Sequence, residues 1–303
     1  MKNLKWKKAG SAVLATALAG SMVLPATAYA QGEIVQLEGG TSTQTNTAPE
    51  QVFLNKYSGT VRTQNFNDNW KFYLGDASGA QTPAFDDSSW DQVNLPHDYS
   101  IDQEYNRSMD GESGYLPGGT GWYRKSFTVD KSLEGKRISI DFGGVYMNAT
   151  VYVNGEKLGT HPYGYTAFSF DITDHVKFGK ENVIAVKVEH QTPSSRFYSG
   201  SGIYRDVDFV VTDAVHVDKN GTKIETPDLK NHADGNNVAV KVKTTVVNES
   251  ENNASVTVRH TIYPKNGTAD QPVGTVTTEA VTVEKGKSKD VSADFTASGV
   301  QLW

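Results

Sequence analysis

Residues Ala149 to Gly159 read ATVYVNGEKLG. Thr150 to Val153 are β-branched or aromatic, and they run straight into Asn154-Gly155 before a second short run begins. Both positions of a two-residue hairpin turn need positive φ, which Asn and Gly supply at little steric cost, so this stretch predicts a β-hairpin. The same texture extends outward. RISIDF (Arg137 to Phe142) and VIAVKV (Val183 to Val188) alternate apolar and polar residues, the period of a strand with one face on a core. No segment holds helical periodicity at length. From about Val52 to Asp213, short alternating strands predict an antiparallel sandwich of jelly-roll type.

The texture changes after Asp213. Aromatics thin out, and Val, Thr, Lys and Asn take over in VAVKVKTTVV (Val238 to Val247), VTVRHTIY (Val256 to Tyr263), VGTVTTEAVTVEKG and KDVSADF. Turn signals separate these runs, for example Asn266-Gly267 and Lys285-Gly286. About seven short strands across residues 214–303 is the count of an immunoglobulin-like sandwich. The chain as a whole is expected to be all-β.

The first thirty residues read differently. MKNLKWKKAG carries four lysines, SAVLATALAGSMVLP is apolar, and ATAYA ends in small residues. That is the layout of a secretory signal peptide cut after Ala30. The alternative is an N-terminal membrane anchor, for which the apolar stretch is short and interrupted by glycine. Residues 31–51, QGEIVQLEGGTSTQTNTAPEQ, read as a flexible spacer. Loss of those four lysines, with no acid among residues 1–30, would take the formal net charge from −6 to −10. Such a balance argues against nucleic acid or an anionic membrane as the main partner. The location expected is outside the cell or on its surface. The chain has no cysteine, which removes disulfides and thiolate metal sites. A hydrophobic fraction of 37% is enough for a packed core.

No self-contained catalytic motif is present: no His-Glu-x-x-His, no phosphate-binding loop and no Gly-x-Ser-x-Gly elbow. The seven histidines are scattered, and no pair has helical ligand spacing. His260 shares the alternating face of Val256, Val258 and Ile262, which favours a packed, hydrogen-bonded imidazole over a metal ligand. Asp86, Asp87 and Asp91 surround Trp90 and read as turn carboxylates bonding local backbone. Asp98 is different. It follows Pro96 and His97 and lies among Tyr99 and Tyr105, where a carboxylate can accept sugar hydroxyls while a ring stacks on the sugar face. Arg196, Phe197 and Tyr198 offer the complementary donors and flat apolar surface, and the Ser-Gly run beyond them allows a sharp turn. On spacing alone, an edge-strand arginine with core aromatics before a glycine bend fits that group slightly better.

Six segments occur in order: LPHDYSID (Leu95 to Asp102), LPGGTGWYRKSFTV (Leu116 to Val129), FGGVYMNATVYVNG (Phe142 to Gly155), HPYGYTAFSFDIT (His161 to Thr173), GKENVIAVKV (Gly179 to Val188) and SRFYSGSGIYRDV (Ser195 to Val207). Together they resemble the sugar-binding domain of glycoside hydrolase family two, especially its secreted bacterial β-galactosidases. The region after Asp213 is similar to the family's second, immunoglobulin-like domain. The resemblance implies that Arg196 reaches the non-reducing sugar and that Asp98 and Tyr198 contribute to sugar recognition. It also implies retaining hydrolysis by two glutamates of a (β/α)₈ barrel. No barrel-sized stretch follows in these residues, so no catalytic residue is assigned here, and the chain by itself is expected to be inactive.

The resemblance therefore implies the N-terminal portion of a secreted β-galactosidase-like hydrolase. Its partners would be a β-galactoside and the catalytic barrel of the same protein. Relatives bind sodium or magnesium near this site, but no metal ligand set is legible here, and no cofactor is expected. A free-standing carbohydrate-binding or adhesion module is one alternative. A β-glucuronidase or β-mannosidase fragment is another.

Overall fold

The computed structural model describes residues 53–54, 62–193, 198–263 and 272–300. The expected signal peptide, the spacer, Arg196, Phe197, the Asn266-Gly267 turn and Trp303 lie outside the described residues. Among the described residues the regular elements are strands, apart from single 3-10 turns at Lys131–Leu133 and Leu229–Asn231.

The first sandwich contains β1 (Phe53–Leu54), β2 (Thr63–Asn65), β3 (Trp70–Leu74), β4 (Asp91–Val93), β5 (Gly119–Val129) and β6 (Arg137–Phe142). It continues with β7 (Ala149–Val153), β8 (Glu156–His161), β9 (Phe168–Asp171), β10 (Glu181–His190) and β11 (Val207–Thr212). The larger sheet runs β4-β3-β5-β10-β7-β8, with β1 beside β5, and the smaller runs β2-β11-β6-β9. Asn154 and Gly155 join β7 to β8 with φ of 51° and 90°, the hairpin that the sequence predicts. β6 and β11 alternate buried and half-buried residues, so one face of the smaller sheet is core. Phe127, Val151 and Ile184 of the larger sheet meet Ile138, Ile140 and Phe209 of the smaller in one apolar cluster. Each such side chain contributes about 1.5–3 kcal/mol by leaving water.

β10 does not alternate, being buried continuously from Asn182 to Val186. The cause is a second layer. Residues 76–90 fold over the outer face of the larger sheet, where Ala80 and Trp90 pack with Trp122 and Ala185. Arg124 points into this layer and is 2% exposed. It bonds the carbonyl oxygens of Ala80 and Thr82 and pairs with Asp87 at 2.7 Å. Asp86 does bond local backbone, accepting from the Ser88 N–H at 3.0 Å. Asp87 does not, because the buried guanidinium needs a counter-charge.

The second sandwich contains β12 (Val215–Glu225), β13 (Val238–Asn248), β14 (Ala254–Val256), β15 (Arg259–Ile262), β16 (Gly274–Thr277), β17 (Val281–Val283) and β18 (Lys287–Ala297). The sheet β12-β13-β18 faces the pairs β14-β17 and β15-β16, and two small valine-rich clusters fill the space between. This is an immunoglobulin-like arrangement. His260 is half-buried on this packed face, as its alternation predicts, but its buried Nε2 has no hydrogen-bond partner among the described residues. A register slip between Val217 and Thr222 of β12 bulges out residues 218–221, and Lys219 reaches Asp141 of β6 at 2.8 Å.

Register fixes where the loops of the first sandwich emerge. Gly119 opposes His190, Ala149 opposes His161, and Phe142 lies beside Val207 and Phe168. The connections 143–148 and 162–167, the residues on either side of β5 and β10 at 118 and 191–193, and residues 198–206 before β11 therefore lie at the same end.

Candidate functional site

At that end, the segment Ser201–Ile203 is clasped from two sides. The N–H groups of His97 and Tyr99 donate to the carbonyl oxygens of Ile203 and Ser201 at 2.9 Å, and Tyr146 and Gly202 exchange two backbone bonds of 2.9 Å. Gly202 permits this approach. Its φ is +113°, and a Cβ there would lie 2.2 Å from the Tyr123 hydroxyl and 2.8 Å from the His97 carbonyl oxygen.

The clasp holds Asp98 in a fixed pose. Its Oδ1 accepts from the N–H of Ser100 at 3.0 Å and of Ser201 at 2.8 Å, and its Oδ2 accepts from the Tyr198 hydroxyl at 2.6 Å. A carboxylate offers about four lone-pair sites. Three are occupied here, which leaves one on Oδ2 for an incoming hydroxyl. Gly200 lets the carboxylate come close, since a Cβ on it would lie 2.7 Å from Oδ2. Tyr198 stands at φ +29°, a conformation that costs a non-glycine residue on the order of 1–3 kcal/mol. Its N–H donates to the Glu112 carbonyl at 2.6 Å, which holds it there. Burial, the bond to Asp98 and the charge of Asp98 raise the Tyr198 phenol pKa above its ordinary value, so the hydroxyl stays a donor.

Behind Asp98 lies a polarised chain. Ser100 Oγ donates to the Pro117 carbonyl at 2.8 Å and so accepts from Ser201 Oγ at 2.5 Å. Ser201 Oγ must then accept from His190 Nδ1, also at 2.5 Å. That assignment leaves His190 Nε2 as an acceptor, facing Ser199 Oγ at 3.4 Å. Burial lowers the pKa of His190, and likewise of His97, so both rings are neutral near pH 7. His97 Nε2 lies 3.2 Å from Asp102, which only accepts, so Nδ1 takes the Tyr123 hydroxyl proton at 2.7 Å.

Of the sequence candidates, the structure brings Asp98 and Tyr198 into direct contact, while Arg196 lies outside the described residues. Tyr198 is 37% exposed, not the core aromatic of the edge-strand alternative. Tyr105 is exposed and Tyr99 is withdrawn, stacked on Phe72 at 5.3 Å with its hydroxyl on the Gly119 carbonyl. Ser100, Ser201 and His190 were not predicted. The Gly-x-Gly spacing at 200–202 was their one signal, because two close backbone approaches need two glycines. No group of three or more His, Cys, Asp or Glu suited to a metal occurs among the described residues.

A carboxylate with one open acceptor site beside an exposed phenol suits a polyhydroxylated ligand. Comparison with known proteins agrees with that class. Residues 63–213 match the family described as glycosyl hydrolases family 2, sugar binding domain, and the chain belongs to that family through this domain. It is 40% identical over 241 residues to a beta-galactosidase of Bacteroides ovatus, covering 78% of this chain and 27% of that protein. It is 30% identical over 267 residues to a beta-glucuronidase of Formosa agariphila, covering 80% of this chain and 26% of that protein. The crystal structure of a glycosyl hydrolase family 2 member from Bacteroides cellulosilyticus superposes with a TM-score of 0.72 at 37% identity, over 80% of this chain and 32% of that one. The chain thus spans well under a third of both curated relatives.

Proposed function

We propose that this chain is the sugar-recognising front of an exported β-galactosidase-type hydrolase, in which Asp98, Tyr198 and Arg196 hold the terminal galactose. The observation that carries this reading is the Asp98 carboxylate, fixed by three donors and left with one acceptor site beside an exposed phenol. An alcohol hydroxyl fills that site well, because hydrogen bonds to a charged group are worth about 1.5–3 kcal/mol. Bond cleavage falls to residues outside this set. The likeness to beta-galactosidases supports the galactoside. The likeness to beta-glucuronidases supports a second reading, a terminal uronic acid whose carboxylate pairs with Arg196.

Titration with methyl β-galactoside and methyl β-glucuronide, read by saturation-transfer NMR, separates the two. Galactoside binding that Asp98→Asn abolishes, with little uptake of glucuronide, is the expected result. Preference for the glucuronide, lost in Arg196→Ala, would move the assignment to the second reading. Affinity should be weak, since one partial subsite offers few contacts against the cost of immobilising a sugar. Export predicts a mature N-terminus at Gln31, which N-terminal sequencing of the secreted protein tests.

A further inference from the structure

The Asn-Gly pair that turns the hairpin at 154–155 recurs at Asn220-Gly221. Both asparagines adopt the left-handed conformation, with φ of 51° at Asn154 and 55° at Asn220. Their side chains differ. The Asn154 amide is fully engaged. Its Nδ2 donates to the His175 carbonyl at 2.7 Å and to Asn182 Oδ1 at 2.8 Å, and its Oδ1 accepts from the Val183 N–H at 3.0 Å. Asn220 is exposed, and its amide makes no hydrogen bond among the described residues.

The backbone around Asn220 also stands outside the regular ladder. β12 is an edge strand, and its register slip leaves residues 218–221 without opposed partners on β13, as a bulge does. This bulge borders a cleft of about 430 Å³ between the two sandwiches, which Arg62 and Asp141 line from one side and Lys219 and Asn220 from the other. Lys219 crosses it to Asp141 at 2.8 Å, and Arg62 Nη1 donates across it to the Val217 carbonyl at 3.3 Å.

We propose that Asn220 is a site of spontaneous modification, at which the backbone nitrogen of Gly221 displaces the side-chain amide. Glycine has no Cβ to hinder the approach of that nitrogen to Asn220 Cγ. The N–Cγ bond forms as the Cγ–Nδ2 bond breaks. Nδ2 leaves as ammonia with the Gly221 amide proton, and a five-membered succinimide remains. Water then opens the ring at either carbonyl to give aspartate or isoaspartate, with nothing oxidised or reduced. A free amide rotates into place for this attack, whereas Asn154 must first give up three hydrogen bonds. Each product puts a new carboxylate next to Lys219, inside the screening distance of about 8 Å at physiological salt. The charge therefore falls at the ion pair that ties one sandwich to the other.

The test incubates the full chain at about pH 8.5, native and in urea, and follows both asparagines by peptide mass spectrometry with fragmentation. In the native protein Asn220 should convert about tenfold or more faster than Asn154, equivalent to a barrier difference of about 1.4 kcal/mol. In urea the hydrogen bonds of Asn154 are gone, and the two rates should converge. Asn220→Gln should remove the mass change from its own peptide and leave that of Asn154 as it was. Equal native rates, or an Asn220 that stays intact in the native protein while the chain in urea converts, would overturn the proposal. A native advantage for Asn220 that persists undiminished in urea would overturn it too, because the cause would then lie in the neighbouring sequence and not in the fold.

Discussion

Lys125 is an ammonium inside an apolar cluster. It is 2% exposed, lies 4.4 Å from the Phe66 ring centre and bonds the carbonyl oxygens of Phe66 and Asp68. Burial lowers its pKa to about 8 from 10.5. A lysine with a depressed folded pKa gains a proton on unfolding in that interval. Its contribution to stability therefore rises with pH from about 8 to 10.5, by roughly 3 kcal/mol in total. Lys125→Met should lack this slope. It should change stability near pH 7 by about 1 kcal/mol or less, as replacing a buried charge with an apolar isostere often does. The Phe66 carbonyl keeps the Trp70 indole N–H at 2.8 Å in any case. Urea denaturation of parent and variant at pH 8 and 9.5 checks it, and parallel behaviour would refute the account. Sequence did not mark this residue. WYRKSF places Arg124 and Lys125 side by side in a strand, where alternation assigns at least one of them to solvent. Asp98 and Tyr198 were legible as candidates only through the resemblance, since spacing alone favours packed aromatics before a glycine bend. The serine and histidine chain behind them was not, since its members come from two separate loops and the end of β10.

Whole elements were easier to read than single side chains. β6 spans the predicted RISIDF, and the runs read from 183–188, 238–247 and 289–295 lie within β10, β13 and β18, because period-2 patterning is a local property. The layer formed by residues 76–90 was not visible, since it depends on what Arg124 finds across the sheet. That dependence makes a prediction. Arg124→Ala would leave Asp87 without its counter-charge and the carbonyls of Ala80 and Phe85 without a donor. The expected loss is about 3–5 kcal/mol, the range for breaking a buried pair on one side. Denaturant unfolding measures it, and limited proteolysis should show new cleavage within residues 76–90. A loss below about 1 kcal/mol would mean that the layer is held by Trp90 and Ala80 packing alone.

At the scale of the molecule, acid acts on both sandwiches at once. His97 and His190 lie in the first sandwich and His260 in the second, and burial is the first cause that lowers each below 6.5. A histidine depressed in the folded state takes up its proton on unfolding. The stability it gives is complete above about 6.5 and falls as pH drops from there toward the folded pKa. Asp208 opposes this. Its carboxyl is raised by burial and by Asp141 and Asp206, so its contribution is present in acid and is lost as pH rises through its folded pKa. With three histidines against one carboxyl, the midpoint of thermal unfolding should fall between pH 7 and pH 5. His260→Leu should flatten part of that fall, because the unpartnered Nε2 is removed from the second sandwich, and it should leave sugar affinity alone. His190→Gln should flatten it too, but at the cost of sugar binding, because His190 orients the hydroxyl chain behind Asp98. Thermal scans from pH 5 to 8, paired with galactoside titration of each variant, separate the two effects. If both substitutions changed stability and affinity together, the sandwiches would be one cooperative unit and His190 would have no special tie to the site.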